Sequence, residues 1–392
     1  MRPSHYLSLA TATSSVLANA QSTSSLISTA AQIALSLKST YPNPSVALLP
    51  HPFWWWESGS SIDALLNYGI ATGDKTYEAL AANTLLNQAT GTNDFMTADA
   101  TGNDDQAWWA LAALTAAEQN VPVAPGAVTF LALAQNVFDE QKARYDGATC
   151  GGGLKWKINV GNGLDGWHYK STITNGLFFQ LAARLAKLTG DEETLAWAEK
   201  AYDWVVGVQL IDGEFNVYDG VEDTENCEVV NNPQWSYNTG VFILGTAAMA
   251  EQTGDSKWTD RTKGLIEAAQ RNFVRDGALF ETRCEGSGTC NLDQVSFKGT
   301  LARWMGAAAD ILPEVRDSVA NVMNENAALV QGSWNVDAGV MGHFSSLEIM
   351  DAAIRARGEA LVAAEGFLGP KGAVQNVGAA GSKRSIAGRL WW

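Results

Sequence analysis

Thr72-Gly73-Asp74, Thr189-Gly190-Asp191 and Thr253-Gly254-Asp255 are one tripeptide met three times, each time between two stretches whose apolar residues recur at helical spacing. A glycine there can take the left-handed conformation that ends a helix, and the aspartate after it can cap the next helix by accepting from its free N–H groups. Each tripeptide reads as the tight turn of a helical hairpin. Working outward, the same periodicity predicts twelve helices, at 24–40, 59–72, 75–88, 104–118, 127–144, 171–188, 192–208, 236–252, 257–274, 294–310, 313–330 and 345–361, and no alternating strand pattern competes with them. Pro122 with Pro125, and Pro313, mark further short connectors after the fourth and tenth helices. By contrast, the segments entering even-numbered helices are long: 41–58, 89–103, 145–170, 209–234, 275–292 and 331–344. Short and long connections alternating along antiparallel helices put every long loop at one end. This is the pattern of six hairpins in a ring, an all-α (α/α)6 barrel with its site at the long-loop end; a helical solenoid shares the local pattern and is the alternative.

Composition agrees with a large buried core. Of 392 residues, 46% are hydrophobic and 17% charged, so the surface carries more Ser, Thr, Asn and Gln than ion pairs. The formal net charge of −16 repels phosphate backbones and anionic membranes, which excludes nucleic acid as an expected partner and favours a neutral substrate. No segment reaches the roughly 20 apolar residues of a membrane span. Arg2, the apolar stretch from Tyr6 to Leu17, and Ala18-Asn19-Ala20 match a secretory signal peptide over 1–20. An even set of four cysteines fits export: Cys284 and Cys290 flank the loop Glu285-Gly286-Ser287-Gly288-Thr289 and could close a short bridge, leaving Cys150 to pair with Cys227, while four buried free thiols are the alternative. His5, His51, His168 and His343 are isolated and the cysteine spacings do not suit zinc, so neither a metal nor a cofactor is expected. The organisation read from this is a leader over 1–20, one catalytic domain over 21–364 and a flexible Gly-rich tail over 365–392, in a secreted monomer.

Chemistry concentrates where the third long loop enters the fourth helix, in Asn103-Asp104-Asp105-Gln106-Ala107-Trp108-Trp109. Carboxylates at a helix start are ordinary caps. Two of them side by side, between amides, before two indoles and at the loop-rich end, suit glycoside cleavage, in which one carboxyl moves a proton while a second attacks the anomeric carbon. Short Asp side chains at adjacent positions can lie about 5 Å apart, the spacing of a retaining pair, and like charges that close raise one proton affinity. The first long loop ends in Phe53-Trp54-Trp55-Trp56-Glu57-Ser58-Gly59; three consecutive Trp cannot all face a core, so at least one is open to a sugar face. Glu57 and Asp63 are rival carboxyls or hydrogen-bonding supports. Trp156 after Cys150-Gly151-Gly152-Gly153, Lys170 and Asn175 at the sixth helix, Tyr237 and Asn238 at the eighth, and Lys298 in the tenth are of types that bind sugar hydroxyls and rings.

These motifs, in this order, resemble glycoside hydrolase family 76, the endo-α-1,6-mannanases, and in particular its fungal cell-wall branch. The resemblance runs from about residue 40 to 350 through Trp54-Trp55-Trp56-Glu57-Ser58-Gly59, Asn103 to Trp109, Cys150-Gly151-Gly152-Gly153-Leu154-Lys155-Trp156, Lys170-Ser171-Thr172-Ile173-Thr174-Asn175-Gly176, Trp235-Ser236-Tyr237-Asn238-Thr239-Gly240 and Phe297-Lys298-Gly299. It implies an (α/α)6 barrel and a retaining mechanism with Asp104 as nucleophile and Asp105 as general acid/base. It also implies α-1,6-mannan or a mannose-containing cell-wall glycan as partner, with Trp55, Trp56, Glu57, Asn103, Trp109, Trp156, Lys170, Tyr237, Asn238 and Lys298 as substrate-binding candidates. Members of the fungal branch are thought to cut mannan in a glycolipid anchor and transfer the attached protein to glucan, usually from behind a C-terminal anchoring tail. No such tail is read in this sequence, so the expectation is a secreted endo-hydrolase, with a wall transglycosylase as the alternative and a non-catalytic mannan-binding barrel as the more remote one.

Overall fold

The computed structural model describes residues 22–162 and 166–358. The expected leader over 1–20 and tail over 365–392 lie outside them. Twelve α-helices run through the described residues: α1 (Thr23–Ser39), α2 (Trp55–Thr72), α3 (Glu78–Gln88), α4 (Asn103–Glu118), α5 (Phe130–Arg144), α6 (Thr172–Thr189), α7 (Glu192–Gly207), α8 (Ser236–Thr253), α9 (Ser256–Phe273), α10 (Leu292–Ile311), α11 (Pro313–Ser333) and α12 (Gly339–Ala356). Each expected helix is present.

The three tripeptides work as turns, and all three residues take part. Gly73, Gly190 and Gly254 are left-handed, with φ of 76°, 74° and 66°. Each Thr hydroxyl donates one turn back into its helix, Thr189 to Leu185 O at 2.8 Å and Thr253 to Met249 O at 2.7 Å, and accepts from the N–H of the Asp two residues on. Asp191 and Asp255 then cap α7 and α9, accepting from Thr194 N and Lys257 N. Asp74 does not cap α3. It accepts from the Thr76 N–H and the Tyr68 hydroxyl, and the helix starts three residues later than its spacing suggests, behind Tyr77.

Two helix starts differ more. α2 begins at Trp55 rather than 59, because the Glu57 carboxylate accepts from the Trp54 N–H at 2.6 Å and so satisfies an otherwise free donor at the helix start. Gly59 lies inside α2, where a β-carbon would meet the Trp109 ring at 2.9 Å. α12 begins at Gly339 rather than 345, so the connection after α11 is short and only five of the six expected long loops exist. Short strands also occur, contrary to expectation: β1 (Tyr169–Ser171), β2 (Gly220–Glu222) and β3 (Val230–Asn231) form an antiparallel sheet in that order, and β4 (Val274–Arg275) pairs with β5 (Ala278–Leu279). At two or three residues each, none is long enough to show an alternating pattern.

The even helices pack in the cycle α2–α4–α6–α8–α10–α12 and back to α2, so the ring is closed and the solenoid is excluded. The odd helices lie outside them: α3 against α2 and α4, α5 against α4 and α6, α7 against α6, α9 against α8, α11 against α10 and α12, and α1 against α12. Inner helices are buried nearly all round, as helices ringed by neighbours must be. Where they touch, small residues admit close approach: a β-carbon on Gly306 of α10 would lie 2.6 Å from Ala352 Cα of α12. The α2–α10–α12 seam also holds a buried ionic cluster, in which Arg303 donates to Asp63 at 2.8 Å, Ser60 O at 2.7 Å and Glu348 at 2.8 Å. Asp63 is thus a structural partner of Arg303, not a rival catalytic group. A cavity of about 390 Å³ lies toward the C-terminal ends of the inner helices, lined by Glu118, Arg184, Arg303, Asp310 and Arg355 among others, the end away from Asp104. Both disulfides of the expected pairing are formed, Cys150–Cys227 with Cα atoms 5.7 Å apart and Cys284–Cys290 at 4.7 Å. Among the described residues no helix is long and apolar enough to cross a membrane.

Candidate active site

The N-terminus of α4 is pinned before its side chains act. Gly102 bridges in antiparallel fashion to Lys157; Asn103 N donates to Trp156 O at 2.8 Å, Ile158 N to Thr101 O at 3.0 Å, and the Asn103 amide to Lys155 O at 2.9 Å. Gln106 holds Asp94 O and Glu140, so the amides flanking the acid pair fix the backbone that carries it. The loop supplying Lys155 to Ile158 is itself anchored by the Cys150–Cys227 bridge and by Lys170.

The two carboxylates lean back together over Gly102. A β-carbon there would overlap Asp104 Oδ1 and lie 3.3 Å from Asp105 Oδ2. Their donors differ. Asp105 Oδ2 accepts from Gly102 N at 2.7 Å, Thr101 N at 3.1 Å and the Thr101 hydroxyl at 3.2 Å. Asp104 Oδ2 accepts the Trp156 indole N–H at 3.0 Å, and its buried Oδ1 has no hydrogen-bond partner among the described residues. Burial, and then the neighbouring Asp105 charge, push the Asp104 proton affinity up; burial also raises Asp105, against the pull of its donors and of the Lys157 charge. Both remain partly open to solvent.

Around them stand groups from other inner helices. Asp293, in the first turn of α10, is raised by burial and by the Asp105 charge it faces. Glu57 on α2 is pushed up to about 8 by burial, with the Asp293 charge adding to the effect. Tyr237 on α8 stacks on Phe297 with centroids 3.8 Å apart, and its hydroxyl is raised far above the usual range by burial and then by Asp219, Asp104 and Asp293. Asp219 accepts from the Tyr169 hydroxyl at 2.6 Å. The N-terminal ends of α2, α4, α8 and α10 thereby converge on one acidic bowl.

Of the residues singled out from sequence, Asp104, Asp105, Trp156 and Tyr237 meet in this bowl with solvent access, and Glu57 and Asn103 lie just beneath it, each with one buried oxygen lacking a partner. Two belong elsewhere. Trp109 is wholly buried, stacked on Trp55 with the Phe95 ring tilted against it. Lys170 is wholly buried and donates to Thr149 O and Gly152 O and pairs with Asp146, so it is a strut under the loop. Asn238 is wholly buried beside Asp219. Lys298 is tied to Glu285 at 2.8 Å rather than free. Trp55 and Trp56 are half-buried, stacked on Trp109 and Trp108, and Trp54 is the indole of the three that faces outward, 64% exposed. Sequence reading missed Thr101, Lys157, Asp219 and Asp293. Asp293 had a usable signal, since it opens an inner helix at the same end as the acid pair.

The family model described as Glycosyl hydrolase family 76 matches residues 22–354. Mannan endo-1,6-alpha-mannosidase DCW1 of Saccharomyces cerevisiae is 39% identical over 309 residues, 77% of this chain and 68% of that protein. The crystal structure of Dfg5 from Chaetomium thermophilum in complex with glucosamine superposes with a TM-score of 0.80 at 32% identity, over 86% of this chain and 92% of that one. An inactive variant of the alpha-1,6-mannanase of a Salegentibacter species, solved with alpha-1,6-mannotriose, shares the fold at a TM-score of 0.70 and 19% identity, covering 84% and 99% of the two chains.

Proposed function

Since the chain belongs to glycosyl hydrolase family 76, we propose that it is a retaining endo-hydrolase of internal α-1,6-mannosidic bonds, with Asp104 as nucleophile and Asp105 as general acid/base. The observation that carries this is the pair of carboxylates drawn together over Gly102 with unequal donor sets at the mouth of the barrel. Asp104 attacks the anomeric carbon while Asp105 protonates the departing glycosidic oxygen, leaving a mannosyl ester on Asp104. Asp105, now ionised, takes a proton from water, whose oxygen attacks the same carbon and frees Asp104, giving the α-anomer.

The pair carries one proton at the start. The three donors on Asp105 favour that carboxylate as the ionised one, so before substrate engages the proton rests on Asp104. The reactive arrangement is the other tautomer, and the two limbs of the pH profile belong to the pair as a unit. Trp156, Tyr237, Trp55 and Trp56 are half-buried, so each keeps part of its ring exposed for contact with neighbouring mannoses. The two disulfides support an oxidising, extracytoplasmic location.

A second reading, transfer of the mannosyl group to a sugar hydroxyl instead of water, draws support from the glucosamine held by the Chaetomium protein. One experiment addresses both. Linear α-1,6-mannan is incubated with the protein and with Asp104→Asn and Asp105→Asn, following oligosaccharides by chromatography and the first-formed anomer by NMR. α-Configured fragments that vanish in both variants are expected. Products longer than the substrate at high acceptor concentration would favour transfer, and mannan binding without turnover would leave only a binding barrel.

A further inference from the structure

Trp156 and Lys157 are consecutive residues, and each serves one member of the acid pair. The Trp156 indole donates to Asp104. Lys157 is held by its backbone bridge to Gly102, and its ammonium lies 4.3 Å over the Trp156 ring and 3.4 Å from the Thr101 hydroxyl, to which it donates. That hydroxyl donates in turn to Asp105 Oδ2. A donor chain therefore runs from the ammonium to the acid/base carboxylate, each link polarising the next.

We propose that Lys157 is a positioning residue for Asp105: through Thr101 it fixes which oxygen is engaged by the backbone, and its charge sets the pH range in which that carboxyl can both give and take a proton. The proposal rests on the assignment of Asp105 as acid/base. The other charges facing the bowl all act in the opposite sense. They are Asp104 beside Asp105 on α4, Asp293 on α10, which faces Asp105 directly, Glu57 on α2, which faces Asp293, and Asp219 just before β2, which faces Tyr237, while Tyr237 on α8 stays neutral. Lys157 is the cation that pulls Asp105 toward ionisation against them. Without it the carboxyl would hold its proton to higher pH, which helps departure of the leaving group and slows the water step that needs an ionised base. Its presence places the working range lower.

The test uses the full chain, Lys157→Met and Lys157→Arg. Carboxyl 13C NMR with labelled aspartate, assigned through Asp105→Asn, reads the Asp105 midpoint without any need for turnover. Kinetics on α-1,6-mannan across pH then give kcat and KM separately. The expectation is an upward move of the midpoint by about 0.5–1 pH unit in Lys157→Met, the same move in both limbs of kcat/KM, a largely unchanged KM, and recovery in Lys157→Arg. An unmoved midpoint overturns the proposal, as does a raised KM at fixed pH limbs, which would make Lys157 a sugar contact. A moved midpoint in a protein that cleaves no mannan would leave the role of Lys157 standing and sink the proposed activity instead.

Discussion

A methyl group at position 102 would overlap Asp104 Oδ1 and crowd Asp105 Oδ2, although the backbone there, at φ −107° and ψ 152°, suits any residue. Gly102→Ala should therefore fold with a melting temperature within a few degrees of the parent while kcat falls about 100-fold or more, because displacing a reacting group by about 1 Å has that effect. A melting curve and mannan kinetics on the same sample check it; an unfolded protein or unimpaired turnover would contradict the geometry. At this scale the acid pair was legible because adjacency, flanking amides and position at a helix start are all written locally. Lys157 and Asp219 were not, since what defines them is a partner far along the chain, 52 or more positions away for Lys157 and the residues it serves in α4, whereas Asp293 showed itself only through its place in the first turn of an inner helix. Trp109 misled because inner helices are buried on every side, so no apolar stripe separates residues that face the bowl from those packed beneath it; Lys170 misled because it sits on β1, where its side chain turns to the carbonyls of the 146–152 loop rather than to the bowl.

Elements were the most readable level, and the tripeptide turns show why. Gly190 is left-handed with open space around its α-carbon, so an added methyl meets nothing and the penalty is conformational alone. Gly190→Ala is expected to lower stability by about 1 kcal/mol, with Gly190→Asn falling between it and the parent. Denaturant titration at neutral pH measures both; an equal loss in the two variants would point to a packing defect instead. The same local chemistry failed where a side chain reached past its neighbours. Asp74 is taken by the Tyr68 hydroxyl, which delays α3, and Glu57 reaches back to Trp54 N, which advances α2. The early start of α12 has a different cause: Trp334 donates to His343 Nδ1, and the preceding connection needs only five residues, 334–338, so no long loop forms there.

In the whole molecule, the seam where α12 meets α2 and α10 concentrates buried charge. Asp351 is 1% exposed with neither oxygen hydrogen-bonded, set among Glu348, Arg355 and Arg303, with Asp63 on Arg303 from α2. Burial and then Glu348 raise its proton affinity well above the ordinary carboxylate value. A group raised in the folded state contributes stability fully below its unfolded pKa of about 3.9, and loses it as pH climbs through the folded value. Asp351→Asn should accordingly melt near the parent at about pH 4 and progressively above it toward neutrality. Calorimetry over that range reads the difference, and a gap that is constant or shrinks with pH would show that Asp351 is ionised and compensated. Ring closure itself was legible from alternating loop lengths, whereas this ionic seam joins residues some 240 positions apart, Asp63 and Arg303, and leaves no local trace. The closed cycle has one more consequence. α1 packs on α12, and Arg357 donates to the Thr23 hydroxyl at 3.2 Å, at the barrel end where the tripeptide turns join the other hairpins. Topologically, then, the hairpins form a loop of beads with one clasp left undone, and a gene that fastened it and opened instead between Gly190 and Asp191 would specify the same set of packed surfaces in a rotated reading order.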